Sequence, residues 1–146
     1  MKLNVYRLCR PRRACLPSDR LVKSSVSVAL RRARFGEVNV IFCSAKAIIA
    51  LNRRYLKKNR ITDVIAFNLG ADSRQSRALG EIYVCVPQGQ AQAAEYGNSP
   101  RLELLTLCVH GALHLAGMDD ATASERRRMD KAAARIVSFV SSQRGR

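Results

Sequence analysis

Apolar and polar positions along the chain change period several times, and each change marks an element. Residues 2–8 alternate, with Leu3, Val5 and Tyr6 or Leu8 as inward candidates, which predicts a first strand. Ser18 can cap a helix whose apolar positions Leu21, Val22, Val28, Ala29 and Ala33 recur at helical spacing towards Gly36. Val38, Val40, Ile41 and Phe42 make a β-branched and aromatic run, so a second strand is expected there. Ser44 can cap a second helix with Ala47, Ile48, Leu51 and Tyr55 on one face. After a polar break at 57–61, strands are expected at 63–69 and 81–86, separated by a Ser, Arg and Gly-rich loop and ended by Pro87. Residues 88–97 are rich in Ala and Gln and predict partial helix.

Two further helices close the chain. Ser99 followed by Pro100 is a strong helix start, because Ser caps and Pro suits the first helical position. That helix carries Leu102, Leu105, Val109 and Leu113 to a stop at Gly117. Thr122 with Glu125 has the spacing of a capping box and opens a last helix with Met129, Ala132, Ala133, Ile136 and Val140 inward; 141–146 are expected to fray. The order β-α-β-α-β-β-(α)-α-α predicts an α+β fold, a mixed four-stranded sheet with about five helices. A length of 146 residues suits one domain over 1–146.

Charge changes the picture more than composition does. At 47% hydrophobic residues the chain can bury a core, whereas 26 Lys and Arg against 11 Asp and Glu leave a net charge of +15. Such an excess favours polyanionic partners. Basic clusters occur at 10–13, 31–34, 53–60 and 126–128. No apolar run is long enough for a transmembrane helix, and the start, MKLNVYRLCRPRRACLP, is interrupted by Arg7 and Arg10 and does not read as a secretory signal. Five cysteines without a Cys-x-x-Cys pair read as free thiols in a reducing cytosol, and a cytoplasmic location with no membrane partner is expected.

The chemistry concentrates in one segment. The chain has two histidines, His110 and His114, four residues apart on a predicted helix. Positions i and i+4 lie only ~40° apart around the axis and ~6 Å along it, so two imidazoles can hold one metal ion. Gly117 ends the helix, and Asp119 and Asp120 follow in the returning turn. Two imidazoles and one carboxylate would leave a fourth tetrahedral position for water, the pattern of a catalytic rather than a structural zinc site. Cys108 falls on the opposite side of the helix, and Glu103 lies ~10 Å up the axis, where an ion pair or a cap is the simpler role. Gly111 stands where a His-Glu-x-x-His peptidase carries its general base, so standard zinc-peptidase chemistry is disfavoured.

The segment His110-Gly111-Ala112-Leu113-His114-Leu115-Ala116-Gly117-Met118-Asp119-Asp120 resembles the signature His-Gly-x-Leu-His-Leu-x-Gly-Tyr-Asp-His of the YbeY-type rRNA maturation factors, bacterial metal-dependent endoribonucleases. Leu51-Asn52-Arg53-Arg54-Tyr55 followed by Thr62-Asp63-Val64-Ile65-Ala66-Phe67 is similar to the family's Leu-Asn-x-x-Tyr-Arg and Thr-Asp-Val-Leu-Ser-Phe segment, and Gly80-Glu81-Ile82 to its Gly-Asp-Ile strand. Glu103 and Met129 also fall where the family carries those residue types. The resemblance implies an α+β domain with the two-histidine helix lying across the sheet. It also implies one Zn2+ held by His110, His114 and Asp120, with a metal-bound water and no assigned protein base. Partners would be ribosomal RNA and the small ribosomal subunit, with work in 16S 3′-end maturation, quality control and ribosome assembly. Two positions depart from the pattern: Asp120 replaces the third histidine, and Leu56 replaces an arginine thought to contact phosphate. A carboxylate ligand leaves a metal a weaker Lewis acid than a third imidazole would. Arg53, Arg54, Lys57, Lys58 and Arg60 are the expected RNA contacts, and Tyr55 could stack on a base although its spacing from Leu51 suits a core position. The alternatives are an RNA- or ribosome-binding assembly factor with weak or lost nuclease activity, and a metal-dependent hydrolase of another substrate.

Overall fold

The computed structural model of the protein describes residues 1–9, 15–56, 62–71 and 77–143. Nine elements follow in the order β1 (Lys2–Arg7), α1 (Asp19–Ala29), β2 (Phe35–Cys43), α2 (Ala45–Leu56), β3 (Val64–Ala71), β4 (Ala78–Cys85), α3 (Val86–Tyr96), α4 (Pro100–Leu115) and α5 (Ala123–Ser142). The strands form one mixed sheet ordered β1-β2-β4-β3, in which β1, β2 and β4 run parallel and β3 is antiparallel to β4. The expected α+β class, four strands and five helices are all present.

Strand periodicity assigns the two faces. Val38, Val40 and Phe42 of β2, Val64 and Ala66 of β3, and Ile82 and Val84 of β4 point into the main core, which α1, α4 and α5 complete. Ile65 and Phe67 of β3 and Tyr83 and Cys85 of β4 point the other way, where Ile48 and Leu51 of α2 cover them. Further along that second face the sheet is polar: Asn4 Nδ2 donates to Glu37 Oε1 and to Asn39 Oδ1, each at 2.8 Å.

Helix α4 is the centre of the molecule. Leu104, Leu105, Leu107, Cys108, Val109, Ala112, Leu113 and Leu115 are all buried, as expected of a helix that is apolar nearly all round. Its starting cap is the one read from sequence, with Leu102 N donating to Ser99 Oγ at 3.1 Å. Gly111 lets it approach the sheet closely, because a Cβ there would stand 2.4 Å from Ile82 Cγ2 and 3.2 Å from Val64 Cγ2.

Several boundaries differ from expectation. Pro87 does not merely stop β4; it occupies the first turn of α3, where its missing N–H costs nothing. Helix α1 ends at Ala29, and β2 starts at Phe35, since Phe35 and Val38 enter the core instead of extending a helical stripe. The expected loop between β3 and β4 is shortened on both sides by strand pairing that reaches Ala71 and Ala78. Helix α5 continues through Ser142 because Val140 is buried.

A candidate metal centre on the two-histidine helix

The end of α4 sets the orientation of His114. Gly117 has φ +101°, the left-handed region that favours glycine, and two hydrogen bonds close the helix there. Gly117 N donates to the His114 carbonyl and Met118 N to the Leu113 carbonyl, both at 3.0 Å, the paired bonds of a Schellman motif. The turn carries the Met118 carbonyl back to 3.2 Å from His114 Nδ1. A carbonyl only accepts, so Nδ1 carries a proton, and in the neutral ring Nε2 presents its lone pair. That nitrogen lies 3.5 Å from Asp120 Oδ2. Asp119 is turned outward, its Oδ1 accepting from Asp120 N at 2.8 Å.

His110 sits one turn earlier and deeper. Its Nε2 is buried and makes no hydrogen bond, although Asp130 Oδ1 of α5 stands 3.3 Å away. Burial pushes the His110 imidazole below its usual pKa, with His114 acting in the same direction and Asp130, Asp63 and Asp120 opposing. The neutral ring is the form that can donate to a metal. Asp130 is held in place by α5, whose first turn is a complete capping box: Glu125 N donates to Thr122 Oγ1 at 3.1 Å, and Thr122 N to Glu125 Oε1 at 3.3 Å. The next turn buries Met129 against the core and leaves Asp130 at its border.

Both histidines face carboxylates in an otherwise basic protein. A cleft of about 820 Å³ is lined by Asp63, Glu103, His110, Asp120, Arg126 and Asp130, among others. Asp63 precedes β3 and is braced there: Oδ1 accepts from Val64 N at 2.8 Å and Oδ2 from Gln92 Nε2 at 3.3 Å. Glu103 is buried, and desolvation raises its carboxyl above the usual range, opposed by a hydrogen bond from Asn98 and reinforced by Asp63 and Asp130. A second cavity, of about 900 Å³, borders Arg7, Leu21, Arg101 and Phe139 and contains neither histidine.

Among the described residues no three His, Cys, Asp or Glu side chains already converge on one point as a metal cage. The pairs His114–Asp120 and His110–Asp130 stand side by side instead. Asp130 was not anticipated from sequence. Its one signal is position: it precedes Val137 by seven residues, which places it beside the inward stripe of α5, and a short turn folds α5 back along α4.

The expected RNA contacts are elsewhere. Arg53 and Arg54 belong to α2, on the opposite face of the sheet from α4, and neither lines the histidine cleft. Arg54 lies over the Tyr55 ring, 5.3 Å from its centroid, and Tyr55 meets Phe67 edge-on while remaining 55% exposed, not core. Leu56, in the place of the family arginine, ends α2 and is also exposed. Lys57, Lys58 and Arg60 lie outside the described residues. Among the described residues Arg126 is the Lys or Arg side chain that lines the cleft. Cysteines 9, 15, 43, 85 and 108 are free thiols, and burial raises the pKa of Cys108 strongly, so it is inert core packing. Among the described residues no helix is long and apolar enough to cross a membrane.

Comparison with known proteins agrees with this architecture. The sequence model of the family described as Endoribonuclease YbeY matches residues 18–141. A relative called Endoribonuclease YbeY from Elusimicrobium minutum is 44% identical over 121 residues, covering 80% of this chain and 85% of its own. Another of that name, from Carboxydothermus hydrogenoformans, is 34% identical over 125 residues, covering 85% and 87% respectively. The solution structure of TM1509 from Thermotoga maritima superposes with a TM-score of 0.63 at 26% identity, covering 97% of this chain and 90% of that one. With the family model spanning α1 to α5, and the two-histidine helix at the centre of the shared fold, this chain belongs to the endoribonuclease YbeY family.

Proposed function

We propose that this protein is a divalent-metal-dependent endoribonuclease acting on ribosomal RNA, in 16S 3′-end maturation and small-subunit assembly, with the cation held by His110, His114 and Asp120. The activity follows from membership of an endoribonuclease family. The observation that carries the metal is His110 Nε2, a buried nitrogen with no hydrogen bond. An unsatisfied buried polar atom costs about 1–3 kcal/mol, and a cation satisfies it where a solvent molecule or a proton donor is not otherwise provided. Donor chemistry agrees: two neutral imidazoles and a carboxylate are a zinc-type set. Local charge agrees too, since Asp63, Glu103, Asp120 and Asp130 would repel a phosphate from the cleft unless a cation were bound between them.

When bound, a divalent cation would supply Lewis-acid polarisation of a phosphoryl oxygen. The chain's own groups do the remaining work. The Met118 carbonyl accepts from His114 Nδ1, so that in the neutral ring the Nε2 lone pair is the one free to face a cation. Arg126 lines the cleft, and its guanidinium would offer a bidentate fork to the non-bridging phosphate oxygens. Gly111 excludes the helix-borne glutamate base of peptidases, because any side chain at that position meets Ile82. The expected result is that cleavage of an rRNA fragment is lost in chelator, restored by added Zn2+ or Mn2+, and absent from His114→Ala. Equal cleavage by His114→Ala and the parent would refute the nuclease reading. An assembly factor without nuclease activity would bind the RNA and leave it intact in every arm.

A further inference from the structure

We propose that the end of the histidine cleft remote from Asp120 is a subsite for one unpaired nucleobase of the RNA, with Tyr96 as its stacking platform and Glu103 as the acceptor for an exocyclic amine. The inference rests on the nuclease reading above and deepens it, from the class of substrate to a preference among its bases.

Three observations carry it. First, the cleft continues well past the histidines. Its lining climbs α4 from His110 through Thr106 to Leu102, eight residues and ~12 Å along the axis. On the facing wall α5 contributes Asp130, Ala134 and Ser138 at steps of four, so small side chains keep the groove open beyond Asp130. Its volume of about 820 Å³ greatly exceeds an ion and its water, since one water occupies roughly 30 Å³ of the liquid. Second, the lining changes character along its length. Arg126 and Asp120 border the histidine end, whereas Tyr96, Asn98 and Leu102 border the other, and among the described residues no Lys or Arg lines that far end. Beyond the cation Asp63 and Glu103 repel phosphate, so the far end suits the uncharged part of a nucleotide. Third, an aromatic ring and an acceptor are tied together there. Tyr96 is 64% exposed, and the backbone that carries it is fixed: Gly97 takes φ +71°, and Asn98 N donates to the Ala93 carbonyl at 2.9 Å. The Asn98 side chain is hydrogen-bonded to the buried Glu103, which links the acceptor to the platform two residues from Asn98.

The chemistry of the lining selects the occupant. Unpaired RNA bases are read by stacking on aromatic rings and by hydrogen bonds to their edges. A carboxylate has about four lone-pair sites, so Glu103 keeps acceptors for a ligand after its bond with Asn98. Cytosine, adenine and guanine each bring an exocyclic amine to such an acceptor, whereas uracil carries none and sets a carbonyl against the carboxylate. Stacking on Tyr96 alone would accept every base, so the discrimination belongs to Glu103.

Sequencing the products of an RNA with a randomised single-stranded segment, cut by the Mn2+-loaded full chain, tests the subsite. Mildly alkaline buffer keeps Glu103 ionised against its raised pKa. The parent should favour A, C or G over U at one position beside the cut. Tyr96→Ala should raise KM about 5- to 150-fold with kcat little changed, because base stacking is lost, and Tyr96→Phe should restore it. Glu103→Gln keeps an oxygen for Asn98 and presents an amide N–H to the base, so the preference should move towards U. Far-UV circular dichroism, and Co2+ affinity read from visible absorption, should be unchanged in both variants. A parent that cuts without base preference, or Tyr96→Ala with an unaltered KM, would overturn the subsite and leave the nuclease reading standing. A uniform loss in Glu103→Gln with the base distribution unchanged would also overturn it, in favour of a structural role for Glu103. Failure of the parent to cut would overturn both readings.

Discussion

Gly111 shows how one residue links packing to chemistry. Between the two histidines, the absence of a side chain lets α4 settle on Ile82 and Val64, and so fixes the depth at which His110 lines the cleft and His114 stands beside Asp120. Gly111→Ala would place a methyl group 2.4 Å from Ile82 Cγ2, a distance that requires a shift of helix or strand. Overpacking of this kind costs about 1–3 kcal/mol, and a urea melt should show a loss in that range. Ile82→Ala opens space at the clash, so the double variant should lose less than the sum of the single losses; strict additivity would refute the contact. The same substitution in an exposed helix would be stabilising by propensity, so the sign of the effect identifies the cause.

At the scale of elements, caps were the most legible features and tertiary partners the least. Ser18, Ser44, Ser99 and Thr122 each accept the hydrogen bond expected of an N-cap, because capping depends on residues only three apart in sequence. Thr122 matters beyond α5 itself, since the first turn of that helix sets where Asp130 meets His110. Thr122→Ala should destabilise the fold by about 1 kcal/mol, measured by thermal or urea unfolding. Strand limits were harder to read. Pairing of β2 with β4, and of β3 with β4, extends β2, β3 and β4 beyond their apolar runs, and long-range partners leave no local signal.

Across the whole molecule, charge and chemistry occupy different places. The net charge of +15 belongs to the surface at large, while the histidine cleft gathers four carboxylates. RNA affinity and cleavage should therefore separate. Binding to an rRNA fragment should fall on the order of 10- to 100-fold between about 50 and 200 mM salt, read by filter binding or fluorescence anisotropy. The Arg53→Ala, Arg54→Ala double variant should weaken that binding and flatten its salt slope without altering Co2+ affinity, because α2 lies across the sheet from α4. A salt-independent affinity would exclude backbone tracking by these basic residues.

By itself the amino-acid sequence determined the α+β order, the helix caps, the paired imidazoles of His110 and His114 and the glycine turn that follows them. All of these depend on spacings within about ten residues, where helix geometry maps sequence onto space. Only the tertiary structure decided that Asp120 rather than Asp119 turns towards His114, that Arg53 and Arg54 sit across the sheet from the cleft, and that Asp130 reaches His110 from another helix. The physical reason is burial of α4. A helix covered on nearly every side leaves one short opening, and what borders that opening is set by how α5 and the sheet pack against it.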